Sequence, residues 1–405
     1  MADAAARNDF IPLALPLLGD EEAEAASRTI RSGWVMQGPQ VAAFEEEFAA
    51  FVGAGYARAV SSCTTALHLG LVAVGVVPGD EVITVSHSFV ATANSVRYCG
   101  ATPVFVDIEP GTYNIDPTLV ERAITPRTRA ILVVHQMGMP CDMAAIVPLA
   151  RARGLAVVED CACAVGSEIL WDGRWERIGR PHGDVACFSF HPRKVITTGD
   201  GGMITTDRED WAELFRLLRL HGMSQSTAQR HGSPTVTFES YELFGFNYRM
   251  TDIQAAIGRE QLKRLPGIVE RRREIADRYR TLLADIPGLG LPVEPDWARS
   301  NWQSYCVRLP DGCDQRQVMQ ELLDQGIATR RGIMNSHREP VYRSQPWTCG
   351  AGPDGCDCAP GACARLVESE QAQDRTIVLP IFPQMTDEQQ DRVVDALRAS
   401  CRCGS

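Results

Sequence analysis

Four places in this 405-residue chain set reactive or hydrogen-bonding side chains at the end of a short apolar run or at the start of a helical one. Leu155-Ala-Val-Val-Glu159 runs into Asp160, and Val185-Ala-Cys-Phe-Ser-Phe190 runs into His191-Pro-Arg-Lys194. Glu81-Val-Ile-Thr-Val85 leads to His87-Ser-Phe89, and Ser62-Cys-Thr-Thr65 stands in the turn before a helix. Each has an ordinary explanation when taken alone. Asp160 would cap a helix, Lys194 would be one more surface lysine, and Ser62-Cys-Thr-Thr65 would be an N-cap.

Together they meet the needs of pyridoxal phosphate (PLP). That cofactor requires an amine for its aldehyde, an acid opposite the pyridine nitrogen, hydroxyls and backbone N–H groups around its phosphate, and a flat apolar face against its ring. Lys194, Asp160, the helix start at Thr64 and Thr65 with Ser189, and Phe89 supply these in turn.

Such residues need strand ends to hold them, because open parallel sheets bind ligands at the carboxyl ends of their strands. The runs at 81–85, 103–107, 130–134 and 155–159 are nearly continuous in apolar residues, as strands buried on both faces are. Helix-length stretches at 91–98, 118–124 and 143–153 separate them, which predicts an α/β domain with a mostly parallel central sheet and helices on both faces. Further strands are predicted at 185–190 and 202–206, and helices at 211–220, 252–265 and 268–283. The Pro/Gly-rich Ile286-Pro-Gly-Leu-Gly-Leu-Pro292 marks a change of unit. Beyond it a smaller α/β unit is expected, with strands at 303–309 and 376–380 and helices at 315–325 and 387–399. We divide the chain into a large domain, 1–266, and a small one, 267–405, with the N-terminal segment packing on the small domain.

Composition excludes other classes. An apolar content of 45% supports a substantial core, and 51 acidic against 40 basic residues, a formal charge of −11, leave no basis for nucleic-acid binding. The N-terminal residues carry acids and no signal-like apolar core, and no apolar run approaches a membrane span, so a cytoplasmic protein is expected. In that compartment the 14 cysteines are read as reduced thiols, with Cys63, Cys161, Cys163 and Cys187 inside apolar or motif-bearing runs.

The sequence resembles the DegT/DnrJ/StrS sugar aminotransferases of PLP fold type I. The likeness is carried by Glu159-Asp-Cys-Ala-Cys-Ala164, by Phe188-Ser-Phe-His-Pro-Arg-Lys-Val-Ile-Thr-Thr-Gly-Asp-Gly-Gly202 and by Gly245-Phe-Asn-Tyr-Arg-Met250. Cys63-Thr-Thr-Ala-Leu67, Pro78-Gly-Asp-Glu-Val82, Ser32-Gly-Trp34 and Leu379-Pro380 extend it over nearly the whole chain. The resemblance implies that Lys194 forms the Schiff base, that Asp160 pairs with the pyridinium, that Ser189, Thr64 and Thr65 hold the phosphate, and that Phe89 stacks on the ring. It implies that Asn247 reaches the phosphate of a neighbouring subunit, hence a homodimer with shared active sites. His337 and Tyr342 match a family segment near the substrate, and Trp34 an entry segment; a surface His, a packed Tyr and a core Trp are the ordinary readings.

Two positions depart from the family: Cys163 where His or Gln usually approaches the phenolic oxygen, and Asp200 where Glu is commoner. A thiol is a weak donor, so packing is the other role open to Cys163. The implied activity moves an amino group from L-glutamate or L-glutamine to a keto-sugar, nucleotide-linked, through a Lys194 aldimine and a pyridoxamine phosphate (PMP) form. A keto-cyclitol acceptor, a PMP-dependent dehydratase and a non-catalytic regulator are the alternatives, and Lys194 argues against the dehydratase, which has His there. No metal is assigned to this site. Cys349, Cys356, Cys358 and Cys363 crowd a Gly/Pro-rich stretch apart from it. Four thiols over so short a loop suit either a tetrahedral zinc ion or a surface insertion, and the spacing is not that of paired Cys-x₂-Cys modules.

Overall fold

The computed structural model describes residues 9–225, 238–350, 358–359 and 361–401. The apolar runs form strands β1 (Tyr56–Val60), β2 (Glu81–Val85), β3 (Thr102–Val106), β4 (Thr128–Val134), β5 (Ala156–Asp160), β6 (Glu168–Trp171), β7 (Arg174–Arg177), β8 (Val185–Ser189) and β9 (Gly202–Thr206). Seven of these make one sheet in the order β1-β9-β8-β5-β4-β2-β3. Its pairings from β8 to β3 are parallel, while β9 runs antiparallel to both neighbours.

Helices cover both faces, which is why β2 and β9 are buried at every position. They are α1 (Asp20–Arg31), α2 (Pro39–Val52), α3 (Cys63–Ala73), α4 (Ala91–Tyr98), α5 (Pro117–Ala123), α6 (Met143–Ala152), α7 (Glu209–Leu218) and the long α8 (Asp252–Leu283). One apolar core holds Phe44 and Phe48 of α2 with Leu265 of α8, and the other holds Leu67 and Leu69 of α3 with Phe215 of α7.

The predicted pair of helices at 252–265 and 268–283 is a single helix of 32 residues that runs through Pro266 and Gly267. Those residues cost a helix interior about 3 and about 1 kcal/mol relative to Ala. The helix persists because Leu262, Leu265, Ile268 and Val269 all enter the large core, and a break would withdraw the residues on one side of it. Farther along, Ile275, Tyr279 and Leu283 enter a separate core, so the helix passes from one core to the other between Val269 and Ile275.

That second core belongs to the C-terminal unit. There β10 (Ala298–Arg299) pairs with the β6–β7 hairpin, and β11 (Tyr305–Arg308), β12 (Arg330–Arg331) and β13 (Thr376–Leu379) form an antiparallel sheet in the order β11-β13-β12. Helices α9 (Gln315–Asp324), α10 (Val367–Arg375) and α11 (Asp387–Ser400) accompany it. Near the start of the chain, Ile11 bridges Ile327 in parallel and is fully buried in this core. No described helix is long and apolar enough to cross a membrane.

Candidate active site

A cavity of about 380 Å³ lies at the carboxyl ends of the parallel strands, lined by residues of both units. Strand β5 delivers Asp160 to it. Alternation along the strand sends the preceding Glu159 to the other side, where it is fully buried, 3.1 Å from His135 Nε2, and accepts from the Gly183 N–H at 2.7 Å. Asp160, only 5% exposed, accepts from Thr92 Oγ1 at 2.8 Å and from the Ala162 N–H at 3.1 Å. Burial pushes its carboxyl above the ordinary range, while those two hydrogen bonds and the nearby Lys194 act against the rise. A desolvated carboxylate aimed into a cavity calls for a cationic partner there, and a pyridinium nitrogen is one.

Lys194 reaches the same cavity from the loop after β8, with Nζ 3.1 Å from Cys163 Sγ. Desolvation disfavours its ammonium, but Cys163 and Asp160 outweigh that and hold the free amine above the usual lysine range. The loop is pinned by Thr198 N–H and Thr197 Oγ1, both donating to the Phe190 carbonyl at 3.0 and 2.7 Å. It ends at Gly201-Gly202, where β9 begins. A Cβ on Gly202 would stand 2.5 Å from the Ser62 carbonyl carbon, so only glycine lets this strand approach the start of α3.

At that start Ser62 is the N-cap. Its Oγ accepts from the Thr65 N–H at 3.2 Å and Thr65 Oγ1 accepts from the Ser62 N–H at 3.2 Å. Thr65 is therefore spent on the capping box and does not border the cavity, whereas Ser62, Cys63 and Thr64 do. The first-turn N–H groups, which no carbonyl of the helix can reach, make this end an anion site. Ser189 borders the cavity at the end of β8, and Phe89, 57% exposed, and Ala162 give it apolar walls. Amine, buried acid, helix start and flat apolar walls thus fit PLP, with Lys194, Asp160, Thr64, Ser189 and Phe89 as the residues that would hold it.

The remaining sequence candidates lie elsewhere. His337 is 1% exposed rather than a surface residue, with Nδ1 2.6 Å from Ser86 Oγ and Nε2 3.0 Å from Glu370 Oε1. Tyr342 is 2% exposed and donates to Asn94 Oδ1 at 2.8 Å. Both ends of the imidazole and the phenol hydroxyl are thus engaged within the protein, and neither residue borders the cavity. Trp34 borders a different cleft, of about 460 Å³, beside Arg28, Asp252 and Arg259. Asn247 is exposed, in an isolated bridge with Leu220, and does not line the cavity of its own chain.

Sequence reasoning missed Thr92, which read as an ordinary residue of a helix, and the basic rim. Arg193 on the lysine loop and Arg330-Arg331 of β12 border the cavity. The Arg-Arg pair was visible in the sequence, but its position over the large sheet depends on how the C-terminal unit docks.

Fold and site together define a PLP-dependent aminotransferase. Residues 16–398 match the DegT/DnrJ/EryC1/StrS aminotransferase family, and the chain belongs to it. It is 42% identical over 396 residues to the spore coat polysaccharide biosynthesis protein SpsC of Bacillus subtilis (strain 168), covering 97% of each chain. Among solved structures it is similar to DesV of S. venezuelae, at 34% identity and TM-score 0.85, covering 98% of this chain and 100% of that one. It is also similar to the putative sugar aminotransferase Spr1654 of Streptococcus pneumoniae, known in PLP and PMP forms. The PMP form gives 26% identity and TM-score 0.86, over 97% of this chain and 99% of that one.

Proposed function

We propose that this sugar aminotransferase moves an amino group from L-glutamate or L-glutamine to a nucleotide-linked keto-sugar, acting in the cytoplasm as a homodimer with shared sites. The observation that carries the reading is the convergence of Lys194, Asp160 and the start of α3 on one cavity, with Arg193, Arg330 and Arg331 at its edge. A cationic rim suits an acceptor that carries phosphates. The large domain, 1–266, would hold the cofactor, and the small one, 267–405, would bring the paired arginines over it.

PLP, when bound, supplies an electron sink for the pair left as a Cα–H proton departs. Asp160 keeps the pyridine nitrogen protonated, which makes that sink effective. Lys194 would anchor the cofactor, and its amine would take the proton from the donor's Cα as base and give it back as acid. Thr64 and Ser189 would hold the phosphate, with Asn247 reaching across from the other subunit. Cys163 Sγ, beside the lysine amine, takes a packing and weak hydrogen-bonding role.

The test is product formation from a panel of keto-sugar nucleotides and keto-cyclitols, with glutamate and glutamine as donors. Borohydride should fix the cofactor on Lys194, as peptide mapping would show, and Lys194→Ala should lower turnover by about 10⁴-fold or more. Cofactor trapped on another lysine would remove Lys194 from the role. Amination of cyclitols alone would replace the sugar assignment.

A further inference from the structure

A second cluster of reactive side chains stands apart from the transaminase cavity. Cys349, Cys358 and Cys363 place their sulfurs within 4.8 Å of one another. Cys358 Sγ is 3.6 Å from Cys349 Sγ and 3.2 Å from Cys363 Sγ. A disulfide requires about 2.05 Å between sulfurs. A tetrahedral zinc ion with Zn–S bonds of about 2.3 Å sets its thiolates about 3.8 Å apart. The spacings found, 3.6 and 3.2 Å, are too long for a disulfide and nearer to those of ligands drawn in around one ion. An iron–sulfur cube does not suit them, because each of its thiolates binds a different iron and the sulfurs are spread farther.

The surroundings are those of a clip. Cys349 and Cys363 are 5% and 4% exposed, in a small apolar cluster with Phe105, Tyr342 and Leu366. Beside it, Phe105 N–H donates to the Thr348 carbonyl at 2.7 Å and Thr348 N–H to the Pro103 carbonyl at 3.1 Å, so this segment covers the β3 edge of the sheet. The Cys363 N–H donates to Glu370 Oε1 at 2.6 Å, the carboxylate oxygen that also meets His337. His337 in turn contacts Ser86, just beyond β2 on the way to Phe89. Apolar packing asks only that thiols be buried; it does not ask three, two of them flanking the Ala359–Ala362 bridge and the third beside Thr348, to gather their sulfurs together.

We infer that Cys349, Cys358 and Cys363 are ligands of a structural zinc ion that fastens residues 347–350 and 361–366 to one another beside the edge of the main sheet. Binding displaces the three thiol protons to solvent and involves no change of oxidation state. Cys356, the remaining cysteine of the stretch, lies outside the described residues, and the site rests on the other three.

The full-length holoenzyme, purified without an affinity tag and dialysed against metal-free buffer, should retain about one zinc per chain by elemental analysis. X-ray absorption should give at least three sulfurs at about 2.3 Å. Cys358→Ser should lower zinc content about tenfold or more, while Cys313→Ser, away from the cluster, should leave it unchanged. If Cys358→Ser does not fold, mercurial titration of the wild-type protein serves instead, with zinc released in step with thiols and the melting midpoint falling while bound PLP absorbance persists. Less than about a tenth of an equivalent of zinc in the wild-type protein, a Cys358–Cys363 disulfide found by non-reducing alkylation, or full zinc in a folded Cys358→Ser would each overturn the site.

Discussion

To hold a pyridinium proton, the role proposed for it, Asp160 has to be ionised, yet it sits where burial favours the neutral acid. Thr92 Oγ1, donating at 2.8 Å, acts most strongly against this, ahead of the Ala162 N–H and Lys194. Activity that needs the carboxylate is lost as pH falls through its pKa. Removing a donor that favours the charged form lets that pKa rise further, so the acid limb of the pH profile must move to higher pH. Thr92→Val keeps the shape and removes the hydroxyl. We expect kcat/KM near neutrality to fall about tenfold, about 1.4 kcal/mol, the low end for a hydrogen bond to a charged group. The profile of kcat/KM against pH decides it, and an unmoved acid limb with full activity would separate Thr92 from the carboxylate's role. Legibility was uneven at this scale. Lys194 and Asp160 stood out because, taken with the helix start and Phe89, they meet the needs of one cofactor, while Thr92 looked like any helix residue until the fold turned its hydroxyl toward the acid.

Among the elements, α8 joins the two cores and also fixes α2. Its first residue, Asp252, accepts from the N–H groups of Gly38, Gln40 and Val41 at 2.7, 3.0 and 3.0 Å, capping α2 from outside. Asp252→Ala strips an acceptor from three donors at a helix start and should destabilise the protein by about 2–3 kcal/mol. Denaturant unfolding followed by fluorescence reads this, and turnover in the cold should stay near normal because Asp252 borders a different cleft from the one that holds Lys194. An unchanged midpoint would mean that water replaces the cap. Strands β2 to β5, β8 and β9, and α4 over 91–98, were read closely from the sequence, since near-continuous apolar runs and helical spacing are local patterns, whereas β1 was not. The continuity of α8 through Pro266-Gly267 was not, because only packing on both sides of the breakers outweighs them.

At the scale of the whole molecule, the chain exposes aromatic surface next to Asn247. Phe244 is 93% exposed and Tyr241 62% exposed, a concentration of large apolar groups that a soluble monomer seldom leaves in water. A dimer that covers this face and carries Asn247 into the neighbouring cavity accounts for both features. Mixing inactive Lys194→Ala and Asn247→Ala chains should then recover up to about a quarter of wild-type activity. Half the molecules would be heterodimers, and one of the two sites in each would have both residues intact. Proven subunit exchange with no recovered turnover would place Asn247 outside the shared site.

From the amino-acid sequence came the class of fold, the ends of most main-sheet strands and the choice of Lys194 and Asp160 as members of one set, because these depend on side-chain type and local periodicity. Packing between elements settled that the Thr92 hydroxyl faces Asp160, that His337 and Tyr342 are buried away from the cavity, and that three cysteines gather their sulfurs together. Those outcomes follow from which elements pack together. A hydroxyl, an imidazole or a thiol has the same intrinsic chemistry at every position in a chain, and only its neighbours in space settle which of its uses the protein takes up.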